Sequence, residues 1–266
     1  MLMPIVDVKY TKKVFGVKYN QMYNTAIILA AGQGSRLKPL TNTVPKPLVL
    51  VTDKTIIHNA LNNLEDVGVK EVYIVTGYLG EILQSKLGTT FKNLKIFYIT
   101  NESYASTNSM YSLLLGLKQI PQNENVLILE GDVFFEPSVI AKIPIHPITW
   151  FADSSISELD GCYLKSKADK VSQIGIYKHN EIKNSNGYIY AKSVGILAVE
   201  NKYIQLLITW LKKAVEEKKT NLYYDLILAE HIKELDIRLL DISEKKWFEI
   251  DSVEDLQVCT KIFNND

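Results

Sequence analysis

Short apolar segments rich in β-branched residues alternate with amphipathic segments through the first half of this chain. The run "TAIILA" (25–30) leads into a turn that contains glycine, and "IIHNALNNLEDVGV" (56–69) carries Ile57, Leu61 and Leu64 at helical spacing. This alternation is typical of a parallel sheet that is covered by helices. Further strands are predicted at 71–78, 95–100 and 125–135, and a further helix at 107–120.

The second half of the chain is less regular. Several short strands are predicted between 161 and 200, amphipathic helices at 203–219 and 223–235, and a strand followed by a final helix at 247–263. We expect these elements to extend the same sheet and to cover its open end. The fold class predicted is therefore α/β, a Rossmann-like, doubly wound, mostly parallel mixed sheet. The predicted organisation is an N-terminal extension (1–24) and one domain (25–266) with two halves (25–140 and 141–266).

Composition excludes several classes of protein. Lysine plus arginine and aspartate plus glutamate number 30 each among the 266 residues, so no net field favours nucleic acid or an anionic membrane. The two cysteines, Cys162 and Cys259, and the four histidines are scattered, which argues against a zinc site. No apolar run approaches the roughly 20 residues that span a bilayer, and the N-terminus lacks the apolar core of a signal peptide. We expect a soluble cytoplasmic protein that does not insert into membranes.

The segment "IILAAGQGSRLKPLTNTVPKPLVLV" (27–51) places glycines and positive charge between two apolar runs. One interpretation is an ordinary turn. The other is a loop around a strongly anionic ligand, because glycines let backbone N–H groups approach an anion and Ser35 adds a donor. Arg36 and Lys46, which has a proline on either side, would neutralise a polyphosphate and favour the second interpretation. The spacing fits neither the dinucleotide fingerprint nor a P-loop, since no third glycine follows Gly34 as required and Lys46 is outside any GK[ST] triplet.

These residues resemble a known signature. The stretch "LAAGQGSRLKPLTNTVPKPLV" is similar to LAAGxGSRLxPLTxxxPKxL of the nucleotidyltransferases that activate sugar phosphates and related phospho-compounds, and the likeness continues from Thr25 over nearly the whole chain. It implies a nucleotide-diphospho-sugar transferase-like fold in which the loop wraps a nucleoside triphosphate. It also implies that Arg36 and Lys46 are the catalytic contacts to the phosphates. The residues implied for nucleotide binding in the loop are Leu29, Ala30, Ala31, Gly32, Gly34 and Ser35.

The same family holds magnesium between an aspartate that ends a central strand and another near the C-terminus. The resemblance implies these roles for Asp132 in "LILEGDVFF" and Asp251 in "WFEIDSVEDL". A hard divalent cation suits nucleotidyl transfer, because it screens the repulsion between an acceptor phosphate and a triphosphate. The structural alternatives are a turn residue for Asp132 and an N-cap or first-turn acid of the last helix for Asp251.

The segments "NESYASTNSMYSLLLG" and "KELDIRLLDISEKKWFEIDSVEDL" resemble the phosphocholine cytidylyltransferase branch of this family, whose form is shared by enzymes acting on phosphonates and phosphorylated amino acids. The resemblance implies CTP and a small phosphorylated acceptor as substrates. It implies a base-binding role for Gly77 and Tyr78, with a strand-ending turn as the alternative. It implies an acceptor or nucleotide contact for Asn108, although this chain has Ser109 where the branch has a second asparagine.

The acceptor site is predicted from two segments of the second half. In "NLYYDLILAEHI", Tyr224 and Asp225 would hold an ammonium group by cation–π and Coulomb attraction. The alternative is that the aromatic pair packs a helix onto the sheet and that Asp225 is solvated. Lys192 in "YAKSVGILAV" would meet the acceptor phosphate, or would be one of many surface lysines. Two other functions stay open, transfer to a hexose 1-phosphate from UTP or dTTP and a non-catalytic nucleotide sensor. Retention of Arg36, Lys46, Asp132 and Asp251 argues against the sensor.

Overall fold

The computed structural model describes residues 23–264 except 145, 157 and 183–186. The predicted N-terminal extension (1–24) therefore lies outside the described residues, apart from Tyr23 and Asn24. Tyr23 is buried, and the Asn24 carbonyl accepts hydrogen bonds from the amides of Lys70 and Glu71 at 2.8 and 3.0 Å. These two residues thus belong to the body of the fold.

The strands of the described chain form one ten-stranded sheet and one two-stranded sheet. The strand predicted at 125–135 is in fact two strands, and three short strands were not predicted from the sequence (β3, β7 and β11 below). The strands are β1 (Thr25–Ala30), β2 (Glu71–Thr76), β3 (Thr90–Phe91), β4 (Leu94–Thr100), β5 (Val126–Glu130), β6 (Val133–Phe135), β7 (Ile148–Asp153), β8 (Gly161–Lys167), β9 (Lys170–Tyr177), β10 (Ile189–Val199), β11 (Ile237–Asp241) and β12 (Trp247–Glu249).

The helices include one that the sequence pattern did not predict, at residues 80–87. The side chains of Thr55 and Asn108 cap two of the helices, because each accepts a hydrogen bond from a backbone amide of the first turn. In the described residues, no helix combines the length and the hydropathy needed to cross a membrane. The helices are α1 (Ile56–Asp66), α2 (Gly80–Leu87), α3 (Ser109–Leu117), α4 (Asn201–Glu216), α5 (Tyr224–Glu230) and α6 (Val253–Asn264).

The large sheet has the strand order β3-β4-β2-β1-β5-β10-β7-β11-β9-β8. Strands β4, β2, β1 and β5 are parallel. The chain builds outward from β1 to β2 and β4, and then returns to place β5 on the other side of β1. In open α/β sheets, ligands bind outside the carboxyl ends of the strands at such a reversal of order. The predicted α/β sheet is confirmed, and its topology places a binding crevice beside β1.

The second half of the chain extends this sheet mainly by antiparallel pairing. Strand β10 is antiparallel to β5, β7 and β8, whereas β7 and β11 are parallel. Ile196 of β10 lies opposite Leu129 of β5. Because the two strands run in opposite directions, Lys192 and Ser193 lie beyond the carboxyl end of β5. The second half therefore delivers side chains to the same crevice as the first.

Both faces of the sheet are buried. Ile27 of β1 packs with residues of α3, α4 and α5, and Ile28 packs on the opposite face with residues of α1 and α2. Parallel strands that are covered on both faces have apolar residues at successive positions. This explains why β1 is apolar throughout and does not alternate with polar residues. Full burial of each such side chain contributes about 1.5–3 kcal/mol to folding. A third cluster packs α6 against the segment that follows β1, through Cys259, Leu37 and Val49.

Gly131 explains why the segment 125–135 divides into two strands. Its amide donates a hydrogen bond to the Leu29 carbonyl at 2.9 Å, and a Cβ at this position would lie 2.6 Å from the same oxygen. Only glycine tolerates this approach of two backbones. The chain then leaves the large sheet, and β6 pairs with β12 instead. As a result, Asp132 lies between two strands, next to the end of β1.

Candidate active site

A cleft of about 710 Å³ lies outside the carboxyl ends of β1 and β5. Its walls come from the loop after β1, the turn after β5, the first part of β10 and the segment around β12. The cleft brings together most of the residues predicted from the sequence. Those that line it are Leu29, Ala30, Ala31, Gly32, Gly34, Ser35, Arg36, Lys46, Asn108, Asp132, Lys192, Asp225 and Asp251.

The loop after β1 depends on the conformation of Gly34. This residue has φ 58° and ψ 38°, in the left-handed region that favours glycine, and a Cβ there would lie 3.0 Å from the Cβ of Lys46. The Gly34 carbonyl accepts hydrogen bonds from the Leu37 amide and the Thr41 hydroxyl, at 3.0 and 2.8 Å. At Gly32, by contrast, a Cβ added to the backbone would have no neighbouring atom within 4 Å. The loop is thus held on one side and leaves open space beside Gly32.

Lys46 is the centre of an ion-pair network. Its Nζ lies 2.8 Å from Oδ2 of Asp132 and 2.7 Å from Oδ1 of Asp251, and it is 8% exposed. Arg36, which is more exposed, contacts the other oxygen of Asp251 at 2.8 Å. Burial by itself would lower the pKa of Lys46, but the charges of Asp132 and Asp251 outweigh it and raise the pKa. The ammonium is therefore held in its charged form between the two aspartates.

The side chain of Asp251 does not cap the last helix. Ser252 performs that role, because its hydroxyl accepts a hydrogen bond from the Asp255 amide at 3.1 Å. The Asp255 carboxylate in turn accepts hydrogen bonds from the amides of Asp251 and Ser252 at 3.1 and 2.8 Å. Burial alone would raise the pKa of Asp251, but Lys46 and Arg36 lower it below its usual value. The carboxylate is thus charged and directed into the cleft. Its place beside Asp132 is set by a hydrogen bond from the Ile250 amide to the Asp132 carbonyl at 3.0 Å.

The donor set in this part of the cleft suits a hard divalent cation. One carboxylate oxygen each of Asp132, Glu249 and Asp251 lies within 4.8 Å of the other two. Among the described residues, Oδ1 of Asp132 is buried and has no hydrogen-bond partner. Oxygen ligands from several carboxylates are those that magnesium and calcium take. These three residues therefore form a cluster that could hold a metal ion.

Lys192 is buried, so the interpretation of Lys192 as one of many surface lysines is wrong. It is 3% exposed, and its Nζ lies 2.8 Å from Oε2 of Glu249. Burial would lower the pKa of Lys192, but Glu249 outweighs it and raises the pKa. The reason for the burial is tertiary, because β10 continues past β5 into the cleft. Lys192 thus presents a charged ammonium to the interior of the cleft.

Asp225 and Glu130 form the acidic inner part of the cleft. Asp225 is 4% exposed, and its Oδ1 has no hydrogen-bond partner among the described residues. Burial raises the pKa of Asp225 to about 7, although Lys192 acts to lower it. Burial, together with the charges of Asp225 and Asp132, also raises the pKa of Glu130. A cationic group bound at this end of the cleft would stabilise the ionised form of both carboxyl groups.

Three predicted residues do not line the cleft. Tyr224 is fully buried in the core and packs near Trp150, so it cannot face a ligand, and its neighbour Tyr223, 47% exposed, lines the cleft instead. Gly77 and Tyr78 follow the end of β2 and lie behind the loop, where the Tyr78 amide donates to the Ala31 carbonyl at 3.2 Å. Their position supports the loop backbone and gives them no side chain in the cleft.

Comparison with known proteins shows which family this chain matches. Residues 25–153 match the nucleotidyl transferase family. The chain carries a nucleotidyl transferase domain. It is 30% identical over 247 residues to the CMP-5'-(3-aminopropyl)phosphonate synthase of Streptomyces rubellomurinus, covering 86% of this chain and 37% of that longer protein. It is 26% identical over 249 residues to the choline-phosphate cytidylyltransferase of Streptococcus pneumoniae, covering 91% of this chain and 99% of the relative.

A solved structure supports the same conclusion. The CTP:phosphocholine cytidylyltransferase from Streptococcus pneumoniae matches with a TM-score of 0.69 and 25% identity, over 90% of this chain and 99% of that one. The predictions of a nucleotide-diphospho-sugar transferase-like fold and of a nucleotidyltransferase are therefore confirmed.

Two acids of this nucleotidyltransferase cleft, Glu130 and Glu249, were not predicted. Each precedes a predicted metal aspartate by two residues, in "EGD" and "EID". Residues at this spacing in extended chain project to the same side. The repeated acid–x–aspartate pattern was thus a signal in the sequence that pointed to a larger acidic cluster.

The raised pKa of Asp225 predicts a dependence of stability on pH. A carboxyl group whose pKa is higher in the folded state stabilises the fold below its unfolded value of about 4, and this contribution is lost as the pH rises through about 7. The difference measured is the melting temperature of the wild type minus that of Asp225→Asn. We expect this difference to be lower at about pH 8 than at about pH 5. Thermal melts of both proteins at the two pH values measure this difference. An unchanged difference would mean that Asp225 titrates normally.

Proposed function

We propose that this chain is a magnesium-dependent cytidylyltransferase that transfers CMP from CTP to a small phosphorylated acceptor and releases pyrophosphate. The acceptor class is phosphocholine or a related phosphonate or phospho-amino compound. The observation that carries the proposal is that the glycine-rich loop, with Arg36 and Lys46, meets the acidic cluster of Asp132 and Asp251 in one cleft. The names of the two curated relatives support CTP and an acceptor of this class.

In the proposed reaction, an oxygen of the acceptor phosphate attacks the α-phosphorus of CTP. The new P–O bond forms as the bond from the α-phosphorus to the bridging oxygen breaks, and that electron pair leaves with pyrophosphate. Arg36 and Lys46 neutralise the oxygens of the triphosphate, and the open backbone at Gly32 lets N–H groups approach them. The fixed position of the backbone donors in the loop lowers the cost of placing two anions together.

Asp132 and Asp251, with Glu249 beside them, would hold Mg²⁺. A bound Mg²⁺ supplies positive charge that screens the repulsion between the two phosphates and stabilises the transition state. The unpartnered oxygen of Asp132 is the atom that such an ion would satisfy.

The inner end of the cleft favours an acceptor that carries an amine or ammonium group. Asp225 presents an unpartnered carboxylate oxygen there, with Glu130 nearby, and exposed Tyr223 adds an aromatic ring to the wall. Lys192, buried beside Glu249, would meet an anionic group of the acceptor. An acceptor that carries both a phosphate and a cationic group matches this mixture of a buried lysine and buried acids.

A pyrophosphate-release assay tests the proposal. CTP, UTP, ATP and dTTP are each combined with phosphocholine, phosphoethanolamine, 2-aminoethylphosphonate, a phosphorylated amino acid and glucose 1-phosphate. We expect CTP to give the highest kcat/KM, and an amine-bearing acceptor to exceed glucose 1-phosphate clearly. A preference for glucose 1-phosphate with UTP or dTTP would overturn the proposal in favour of a sugar-phosphate nucleotidyltransferase.

The variant Asp225→Asn tests the acceptor end separately. We expect it to narrow the preference for the amine-bearing acceptor, because the Coulomb attraction of the carboxylate is lost. Asp66→Asn is the matched control, since Asp66 is exposed at the end of α1 and away from the cleft. If both variants keep the wild-type preference, Asp225 does not recognise the amine, and the assignment of the enzyme class is unaffected.

A further inference from the structure

We infer that in the free protein the ammonium of Lys46 occupies the position of the divalent cation, so that Lys46 must leave the two aspartates before a metal ion can bind. The inference rests on the proposed function for the identity of the metal site. It adds that the lysine and the metal ion compete for the same carboxylates, and that the nucleotide relieves this competition.

The geometry of the contact is that of a bridging cation. A single nitrogen, Nζ of Lys46, lies within hydrogen-bond distance of one oxygen from each aspartate, at 2.8 Å from Asp132 and 2.7 Å from Asp251. These are two of the three residues whose oxygens converge as possible metal ligands. A metal ion bound by both carboxylates would have to stand close to this nitrogen, and the repulsion between the two positive charges excludes joint occupancy.

The movement required is confined to the side chain. Pro45 and Pro47 restrict the backbone on either side of Lys46. Lys46 also begins a short 3-10 helix, and the amide of Val49, just after this helix, donates a hydrogen bond to the Lys46 carbonyl at 3.0 Å. The Cβ of Lys46 also lies against Gly34, so the first carbon of the side chain is fixed next to the loop. Rotation about the outer bonds would move the ammonium away from the aspartates toward the open side of the loop, where the triphosphate is proposed to bind.

The balance of charge makes the exchange depend on the nucleotide. The three acids of the cluster are each paired with a cation: Asp132 and Asp251 with Lys46, Asp251 also with Arg36, and Glu249 with Lys192. A divalent cation that entered alone would displace Lys46 and leave excess positive charge in the cleft. A triphosphate supplies new partners for the displaced ammonium and for the metal ion. The metal ion should therefore bind weakly to the free protein and firmly together with the nucleotide.

Direct metal binding tests the inference without any reaction. The free Mn²⁺ signal in electron paramagnetic resonance is titrated with wild type and with Lys46→Met, in the absence of nucleotide. We expect Lys46→Met to bind Mn²⁺ at least about tenfold more tightly, because Asp132 is left without a cation and Asp251 keeps only Arg36. The control is Lys38→Met, which removes the same charge from an exposed position of the same loop. It should bind Mn²⁺ as the wild type does.

Two further variants make the result decisive. The double variant Lys46→Met with Asp132→Asn should lose the gain in affinity, which assigns the bound ion to this cluster. Lys46→Gln keeps an amide donor for the carboxylates and replaces Lys46→Met if the latter does not melt cooperatively. Equal Mn²⁺ affinity of the wild type and of the folded Lys46 variants would overturn the inference. So would an equal gain in Lys38→Met. Because no nucleotide or acceptor is present, neither result depends on whether the protein is a cytidylyltransferase.

Discussion

Asp132→Asn and Asp251→Asn are each expected to abolish most turnover, by roughly a hundredfold or more, while the protein stays folded. Both carboxylates would supply charge to one metal ion, so the loss of either removes the same stabilisation of the transition state. The double variant should therefore be scarcely slower than either single variant. Steady-state pyrophosphate release and thermal melting on the same preparations measure the two effects.

The control for these variants is Asp53→Asn, since Asp53 lies in an exposed turn and contacts Thr52. It should keep wild-type turnover. Treatment with EDTA should silence the wild type until magnesium returns. Full activity in EDTA, or near-normal turnover of both aspartate variants, would contradict the two-aspartate site.

Lys46→Ala is expected to reduce kcat/KM for the nucleotide by roughly 1.5–3 kcal/mol, the value of a lost charge-assisted hydrogen bond, which is about ten- to 150-fold. The structure adds a second expectation, because the lysine is buried between two carboxylates. Its removal leaves two like charges facing each other, so the melting temperature should fall in buffer without metal. Added magnesium should restore part of it by replacing the lost cation.

Lys38→Ala is the matched control for this prediction, because Lys38 is exposed in the same loop and has no ion pair with the acidic cluster. It should leave both kcat/KM and the melting temperature close to wild type. Unaltered nucleotide use in Lys46→Ala would show that the loop is only a turn. A melting temperature of Lys46→Ala that does not respond to magnesium would contradict the exchange between lysine and metal ion.

The features that could be predicted from the sequence are those encoded locally. Apolar runs such as β1, the helical spacing of α1 and the glycine turn after β1 each depend on residues close in the chain, so pattern and turn chemistry suffice. The loop signature and Asp132 pointed to one site because the carboxyl ends of parallel strands share an edge of the sheet, whereas Asp251 was assigned to that site by the resemblance to the family. The structure brings thirteen of the predicted residues to that edge.

Features that depend on pairing between distant segments could not be predicted in the same way. The antiparallel course of β10 beside β5 buries Lys192, which is indistinguishable from a surface lysine in the sequence. The rotation of α5 directs Tyr223 to the cleft and Tyr224 to the core, a choice between neighbours that only packing makes.

The sequence by itself thus determined the class of fold and predicted the glycine-rich loop and the two aspartates of the candidate site, because local propensity and a short motif encode them. Only the tertiary structure decided which charges meet. The contact of Lys46 with Asp132 and Asp251 joins residues 86 and 205 positions apart, and the pair of Lys192 with Glu249 spans 57 positions. Such contacts arise when the whole sheet closes around one cleft, and no window of the sequence contains both partners.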